Sequence, residues 1–167
     1  MITIRGEQAA DIPAIHAVHC AAFPTDAEAR LVDLLRANGH ATVSLVAELD
    51  GQIVGHILFS PITIANQAAN GLGLAPVAVL PACQRRGIGG QLVRAGLDAC
   101  YQRGVGFVVL LGHTDYYPRF GFQPAGPLGL GNEYGAGDAF QVIELRPAEI
   151  PSGGGLVRYG TEFAEFA

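Results

Sequence analysis

The chain is short of charge. Only 15% of its 167 residues are Asp, Glu, Lys or Arg, whereas 50% are hydrophobic. That balance excludes a disordered, self-repelling chain and suits one well-filled core. At this length a single domain spanning residues 1–167 is the expectation. Positive charge is scarcer than negative: 10 Lys and Arg stand against 15 Asp and Glu, a net charge of −5. Such a composition carries no basic footprint for nucleic acid. A mild acidic excess is compatible with a cationic amine as substrate. Long apolar runs are also lacking, and none approaches the ~20 residues that a membrane helix needs, so no membrane partner is expected. No charged segment followed by an apolar one opens the chain, so no secretory signal is expected. The cysteines are only three, Cys20, Cys83 and Cys100. Their odd number and their spacing suit neither a disulfide framework nor a metal site. Free thiols, a cytoplasmic location and no bound metal are the expectation.

What is present is a succession of short, well-punctuated elements without internal repeats or heptads. Ile2-Thr3-Ile4-Arg5 alternates and begins a strand. Asp11 reads as an N-cap, with Pro13 in the first turn, for a helix to about Ala22 that Phe23-Pro24 breaks. Thr25-Asp26-Ala27-Glu28 has the form of a capping box, and Leu31, Leu34 and Leu35 form the apolar stripe of a second helix ending at Asn38-Gly39. Val43, Leu45, Ala47 and Leu49 alternate toward Asp50-Gly51, a hairpin signal, and Gln52 to Ile64 returns as a long strand. Asn66 to Gly73 reads as a small polar connection, followed by a strand over Leu74 to Leu80. Ile88, Leu92, Ala95 and Ala99 give a third helix its buried face. Phe107 to Leu111 and Gln141 to Leu145 read as strands, and one more short strand is expected after Pro147. Gln123 to Ala139 has no periodicity and five glycines. A loop of that length inside a compact domain is usually functional or mobile. Glu133, Tyr134 and Asp138 lie there as candidates to read a substrate; a solvated loop is the plain alternative.

The most specific segment is Val77 to Leu92, VAVLPACQRRGIGGQL. An apolar run between Pro76 and Pro81 suits a buried strand, and a glycine-rich turn then opens a helix. Glycines there let backbone N–H groups approach a ligand. Those groups lack helical partners and sit at the positive end of the helix dipole, which favours phosphate. Arg85 and Arg86 add positive charge. The segment is not a P-loop, because Gly90-Gln91 stands where Lys-Ser or Lys-Thr is needed. It is not the dinucleotide fingerprint either, because Leu92 replaces the third glycine. A tight turn before an ordinary surface helix is the bland reading.

Gln84-Arg85-Arg86-Gly87-Ile88-Gly89 fits [Q/R]-x-x-G-x-[G/A] and resembles the pyrophosphate loop of the GNAT superfamily of acetyl-CoA-dependent N-acetyltransferases. Tyr117-Pro118-Arg119-Phe120-Gly121-Phe122 resembles that family's Y-x-[K/R]-x-G-F signature. The likeness runs over Leu72 to Phe122, and the upstream elements match the family's usual N-terminal half, about three quarters of the chain in all. One departure is visible: many members carry an Asn and a longer helix before the tyrosine, whereas this connection is short and has no Asn.

The resemblance implies an α/β fold, a single GNAT-type domain with a mixed, mostly antiparallel sheet and helices on both faces. It implies acetyl-CoA as co-substrate, held by Val77, Ala78, Val79, Arg85, Arg86, Gly87, Ile88, Gly89, Gly90 and Tyr117, and an amine as acceptor. The N–H of Val79 would stabilise the oxyanion, and Tyr117 would protonate the departing thiolate. A lysine-like amine is only about one part in 10³ neutral at pH 7, so a base is needed. His56, His113, Asp115 and Glu133 are the candidates, and none is singled out; a lone strand histidine such as His56 is more often structural, Asp115 also reads as a helix cap, and His16 and His19 read as helix-face residues. A homodimer is compatible with this reading, and the acceptor and the acyl chain length stay open. Two other classes remain: a regulatory module that holds acetyl-CoA without turnover, and a nucleotide-binding domain whose glycine-rich loop takes a different pyrophosphate.

Overall fold

The computed structural model describes residues 1–166, and it divides into two compact units. The first holds residues 1–59 and 75–99; the second holds residues 60–74 and the chain from Cys100 onward.

In the first unit, β1 (Ile2–Gly6) pairs antiparallel with β2 (Val43–Leu49), Ile2 opposite Leu49 and Gly6 opposite Leu45. β2 pairs antiparallel with the early part of β3 (Gln52–Ile64), with a register irregularity at Ala47/Glu48. The turn between them is the expected one: Asp50 and Gly51 take φ 51° and 78°, the left-handed pair that a two-residue hairpin requires. Among the described residues there are three α-helices, α1 (Ile12–Ala22), α2 (Ala27–Ala37) and α3 (Ile88–Gln102). They explain why the early part of β3 is buried without a break. On one face, Leu92 of α3 lies against Gly55, and Gly96 of α3 lies on the Phe59 ring. On the other face, His56 meets His19 of α1. A strand covered on both faces buries every residue, and positions 53–60 are all buried.

In the second unit, β4 (Gln67–Val79) contributes Gly71–Gly73, which pair in parallel with Phe107–Val109 of β5 (Phe107–Leu111). β5 pairs antiparallel with the next-to-last described strand, Phe140–Glu144, and this strand also takes Gln123–Pro124 antiparallel. In chain order the later strands are β6 (Gln123–Pro124), β7 (Leu130–Asn132), β8 (Phe140–Glu144) and β9 (Gly155–Tyr159). β7 runs parallel to β9, and β9 runs antiparallel to the end of β3, at Ile62–Ile64. Ile62, Ile64, Phe107, Val109, Phe140, Val142 and Val157 form this unit's apolar cluster. The pairing is mixed and mostly antiparallel, as expected.

Five local expectations are corrected. Asn66 to Gly73 is strand rather than connection: Ala65 and Asn66, both at positive φ, turn the chain, and β4 starts at Gln67. Gln123 to Ala139 carries β6, β7 and short 3-10 turns. Asp11 does stand at the N-cap position of α1, but its carboxylate bonds Arg5 and the Gln8 N–H rather than an N–H of that helix, and the box before α2 is reduced to the Thr25 hydroxyl accepting from Ala27 N–H at 3.3 Å, with Asp26 at the N-cap and no bond from its side chain. The buried stripe of α3 runs through Ile88, Leu92, Val93, Leu97 and Cys100, with Ala95 and Ala99 half-buried beside it. On α2, Leu34 is 46% exposed, and Ala29, Leu31, Val32 and Leu35 form the buried face.

Candidate active site

The loop after β4 belongs to the first unit. Leu80 N–H donates to Val54 C=O at 2.8 Å. Successive strand residues alternate in direction, so the N–H of Val79 faces the opposite edge of β4. On that edge the Gln84 amide donates to Val79 C=O at 3.0 Å and ties the strand end to the loop. Ala78 is buried, while Val77 and Val79 are half-buried. Pro81–Cys83 makes a single 3-10 turn, and the chain then passes through two left-handed residues, Arg85 at φ 64° and Gly87 at φ 81°.

The first helical hydrogen bond of α3 runs from Gln91 N–H to Gly87 C=O at 3.0 Å. The N–H groups of Gly87, Ile88, Gly89 and Gly90 therefore precede the helical ladder and have no partner within it. Ile88 is buried and anchors this turn, and no acidic residue lies in it to oppose an anion. Arg85 and Arg86 are exposed and unpaired among the described residues. N–H groups without helical partners, two exposed guanidiniums and a first turn without carboxylates are features that favour a multiply charged phosphate.

The tyrosine segment belongs to the second unit. Tyr117 opens a 3-10 turn, Tyr117–Phe120, closed by Gly121 at φ 105°. Its ring packs edge-on to Tyr116 at 5.0 Å and to Phe122 at 5.9 Å. The Cα of Gly112 lies against the ring, so closely that a Cβ there would overlap it. Burial, with a smaller effect from Tyr116, pushes the Tyr117 phenol up to about 12. Among the described residues its hydroxyl has no hydrogen-bond partner. It is therefore a phenol that stays protonated at neutral pH and keeps its donor unspent.

The candidate bases fare differently. His113, Asp115 and Glu133 are exposed. Asp115 caps nothing with its side chain; its carbonyl accepts from Arg119. His56 is fully buried and belongs to a polar chain that sequence reading did not anticipate. Arg36 forks onto Glu7 at 2.7 and 2.8 Å. The Ser44 hydroxyl donates to Glu7 Oε1 at 2.6 Å, since a carboxylate only accepts. Its oxygen then accepts from His56 Nε2 at 2.8 Å. His56 Nδ1 in turn accepts from His19 Nε2 at 2.8 Å. His19, expected on a helix face, is thus fully buried, and its Nδ1 has no partner among the described residues. Burial, with His56, His16 and Arg36 nearby, pushes His19 down to about 3, and burial also lowers His56 against the pull of Glu7. Burial would raise Glu7, but hydrogen bonds from Arg36, His56 and Ser44 outweigh it and hold the carboxyl well below its usual range. Two histidines separated by 37 positions leave no local signal in a sequence. His16 is half-buried and pairs with Asp33 at 2.8 Å. In the long loop, Tyr134 packs edge-on to Tyr159, while Glu133 and Asp138 are exposed.

The described residues contain no group of three His, Cys, Asp or Glu arranged to hold a metal ion. Cys20, Cys83 and Cys100 are free thiols. No helix is long and apolar enough to cross a membrane among the described residues.

The profile of the Acetyltransferase (GNAT) family matches residues 12–122, and the chain belongs to that family. It is 39% identical over 165 residues to the uncharacterized N-acetyltransferase YhbS of Escherichia coli K12, covering 98% of this chain and 99% of that protein. The crystal structure of the Escherichia coli YhbS in complex with CoA superposes with a TM-score of 0.94 at 37% identity, over 99% of this chain and 93% of that one. A GNAT acetyltransferase from Brucella melitensis in complex with acetyl-CoA gives 0.84 at 39% identity, over 98% of each chain.

Proposed function

We propose that this chain transfers an acetyl group from acetyl-CoA to a primary amine of a small molecule or peptide, directly and without an acyl-enzyme, and that residues 1–167 act as one catalytic domain in the cytoplasm. The class is that of its family: it is an acyltransferase, and acetyl-CoA is its co-substrate. The observation that carries the residue assignment is the row of N–H groups at Gly87 to Gly90, left outside the helical ladder beside Arg85 and Arg86. Relatives of close length and fold hold CoA and acetyl-CoA, which supports the same ligand here.

Acetyl-CoA supplies an activated thioester. Arg85 to Gly90 hold the pyrophosphate, and Val77 to Val79 offer backbone groups along the strand edge. The amine loses a proton and its nitrogen forms a bond to the carbonyl carbon. The N–H of Val79 donates to the oxygen on which charge develops. The carbon–sulfur bond then breaks, and Tyr117 gives its proton to the sulfur. A thiol near pKa 8.5 is already a fair leaving group, so the tyrosine assists rather than drives this step. Tyr117 recovers its proton from water. The exposed carboxylates Asp115 and Glu133 and the exposed His113 remain candidates for the amine's proton; His56 is spent in its polar chain.

The test is a screen of primary amines, polyamines and lysine-containing peptides for acetyl-CoA-dependent thiol release. Release with at least one amine, with mass spectrometry showing a single acetyl group on it, is the expected result. Tight acetyl-CoA binding with no release from any amine would turn the reading toward a non-catalytic module.

A further inference from the structure

We infer that Gln141 is a positioning residue for Tyr117, clamping the two carbonyls of the turn on which that tyrosine rests. The inference rests on the reading of Tyr117 as proton donor. Gln141 lies on β8 opposite Leu110, between Phe140 and Val142, and is 1% exposed. A polar amide is costly in such a place unless it is bonded. Its Nε2 lies 3.1 Å from the Gly112 carbonyl and 3.4 Å from the His113 carbonyl. Both oxygens can only accept, so the nitrogen must face them and the amide orientation is settled by chemistry. Both N–H groups of Gln141 are committed to this one turn.

Those two carbonyls are the ones that matter to Tyr117. The His113 carbonyl also accepts the N–H of Tyr116 at 3.2 Å and of Tyr117 at 3.3 Å. Gly112 is the residue whose bare Cα supports the Tyr117 ring. The Gly112 N–H donates to Ala139 C=O at 3.0 Å, so β8 and the residue before it hold this peptide from both sides. At the far end of the turn, Arg119 reaches the Tyr116 carbonyl at 2.8 Å, from an exposed position. Gln141 is thus a buried side chain that grips the near end. Because the Tyr117 hydroxyl has no partner among the described residues, its direction is set by this backbone and by ring packing. A displacement of about 1 Å at a reacting group can cost on the order of 10²-fold in rate.

The test is a double-mutant cycle of Gln141→Glu and Tyr117→Phe, read as kcat with acetyl-CoA and the fastest amine of the screen. Glutamate keeps the shape of glutamine but turns oxygen toward the two carbonyls; Gln141→Leu serves as a second variant. Gln141→Glu alone should lower kcat about tenfold and leave acetyl-CoA affinity within about twofold by calorimetry. In the Tyr117→Phe background it should lower kcat by less than about twofold, since the group it positions is gone. An equal further drop in that background would overturn the inference and leave the role of Tyr117 standing. Full kcat in Tyr117→Phe itself would overturn the role of Tyr117 and the inference with it. A second arm needs no acceptor. 3-Fluorotyrosine at position 117 should give one sharp ¹⁹F resonance that broadens or splits with Gln141→Glu, and an unchanged resonance would also overturn the inference.

Discussion

Two glycines, Gly87 and Gly112, stand at the turns that carry the candidate chemistry, and they are required for opposite reasons. Gly87 sits at φ 81°, yet a Cβ there would meet nothing within 4 Å. What it supplies is a backbone conformation, and the product is a row of N–H groups left outside the helical ladder. At Gly112 φ is not in the left-handed region, but a Cβ would run into the Tyr117 ring. What it supplies is closeness, and the product is a side chain laid on backbone. On the proposed reading the first turn binds and the second holds one hydroxyl, so damage to them should separate into affinity and rate.

The largest effect should come from Gly89→Glu. It places a side chain and a negative charge where phosphate oxygens would lie, and calorimetry should find acetyl-CoA binding abolished; unchanged affinity would remove the loop from the site. Tyr117→Phe comes next. It should keep acetyl-CoA affinity nearly intact and lower kcat by roughly 10²-fold, the low end for loss of a general acid. Tyr116→Phe should change little, and the reverse pattern would mean that the neighbouring hydroxyl is the donor. Because burial raises the Tyr117 phenol to about 12, the wild-type rate should show no alkaline loss from this group below about pH 10.

Crossing the two glycines sharpens the contrast. Gly112→Ala should lower kcat about tenfold and cost about 1–3 kcal/mol of stability, since the ring must move. Gly87→Ala should cost about 1–2 kcal/mol through left-handed strain and weaken acetyl-CoA binding, with kcat at saturation unchanged. Steady-state rates and urea melts of both variants check this. If Gly87→Ala changed kcat and Gly112→Ala changed only affinity, the division of labour would be reversed.

The smallest effect is one of pH. His19 and His56 titrate lower in the fold than in the unfolded chain, so the unfolded chain binds more protons on acidification. Stability is then fully present above pH 6.5 and falls as pH drops toward the folded value of about 3 for His19. Glu7, also lowered, adds its own loss below about pH 4.5. The melting temperature should decline from pH 6.5 to 5, and His19→Leu with His56→Leu should flatten that decline. A wild-type melting temperature constant over this range would contradict the burial of both rings.

The comparison also accounts for what could be read without coordinates. Gln52–Ile64 and Phe107–Leu111 were legible to the residue, because largely apolar stretches bounded by turn signals leave few other assignments. The loop at Gly87 was legible because its residues act through local backbone. β4 was not legible at its start. Gln67-Ala68-Ala69-Asn70-Gly71 is small and polar, and its strand state comes from the sheet, in which β4 lies between β3 and β5 and only Gly71 of these residues reaches Phe107. Gly71 and Gly73, which argue against a strand locally, are there because the rings of Phe107 and Tyr159 occupy the space their side chains would need. Gln141 was missed for the same kind of reason: its partners lie 29 and 28 residues earlier in the chain. Tyr117 was singled out by a motif, whereas a buried amide bonded to carbonyls so distant in sequence had no motif to mark it.

The polar chain from His19 to Glu7 has a directional character, since every donor along it points toward the carboxylate. Both imidazoles must therefore be the same tautomer, with the proton on Nε2. Their ring nitrogens should give two matched pairs of ¹⁵N shifts, one protonated and one bare, in a single spectrum. Both rings are fully buried, so their Nε2 protons can leave only when the surrounding structure opens. Two side-chain protons would then time the breathing of the first unit, independently of any substrate.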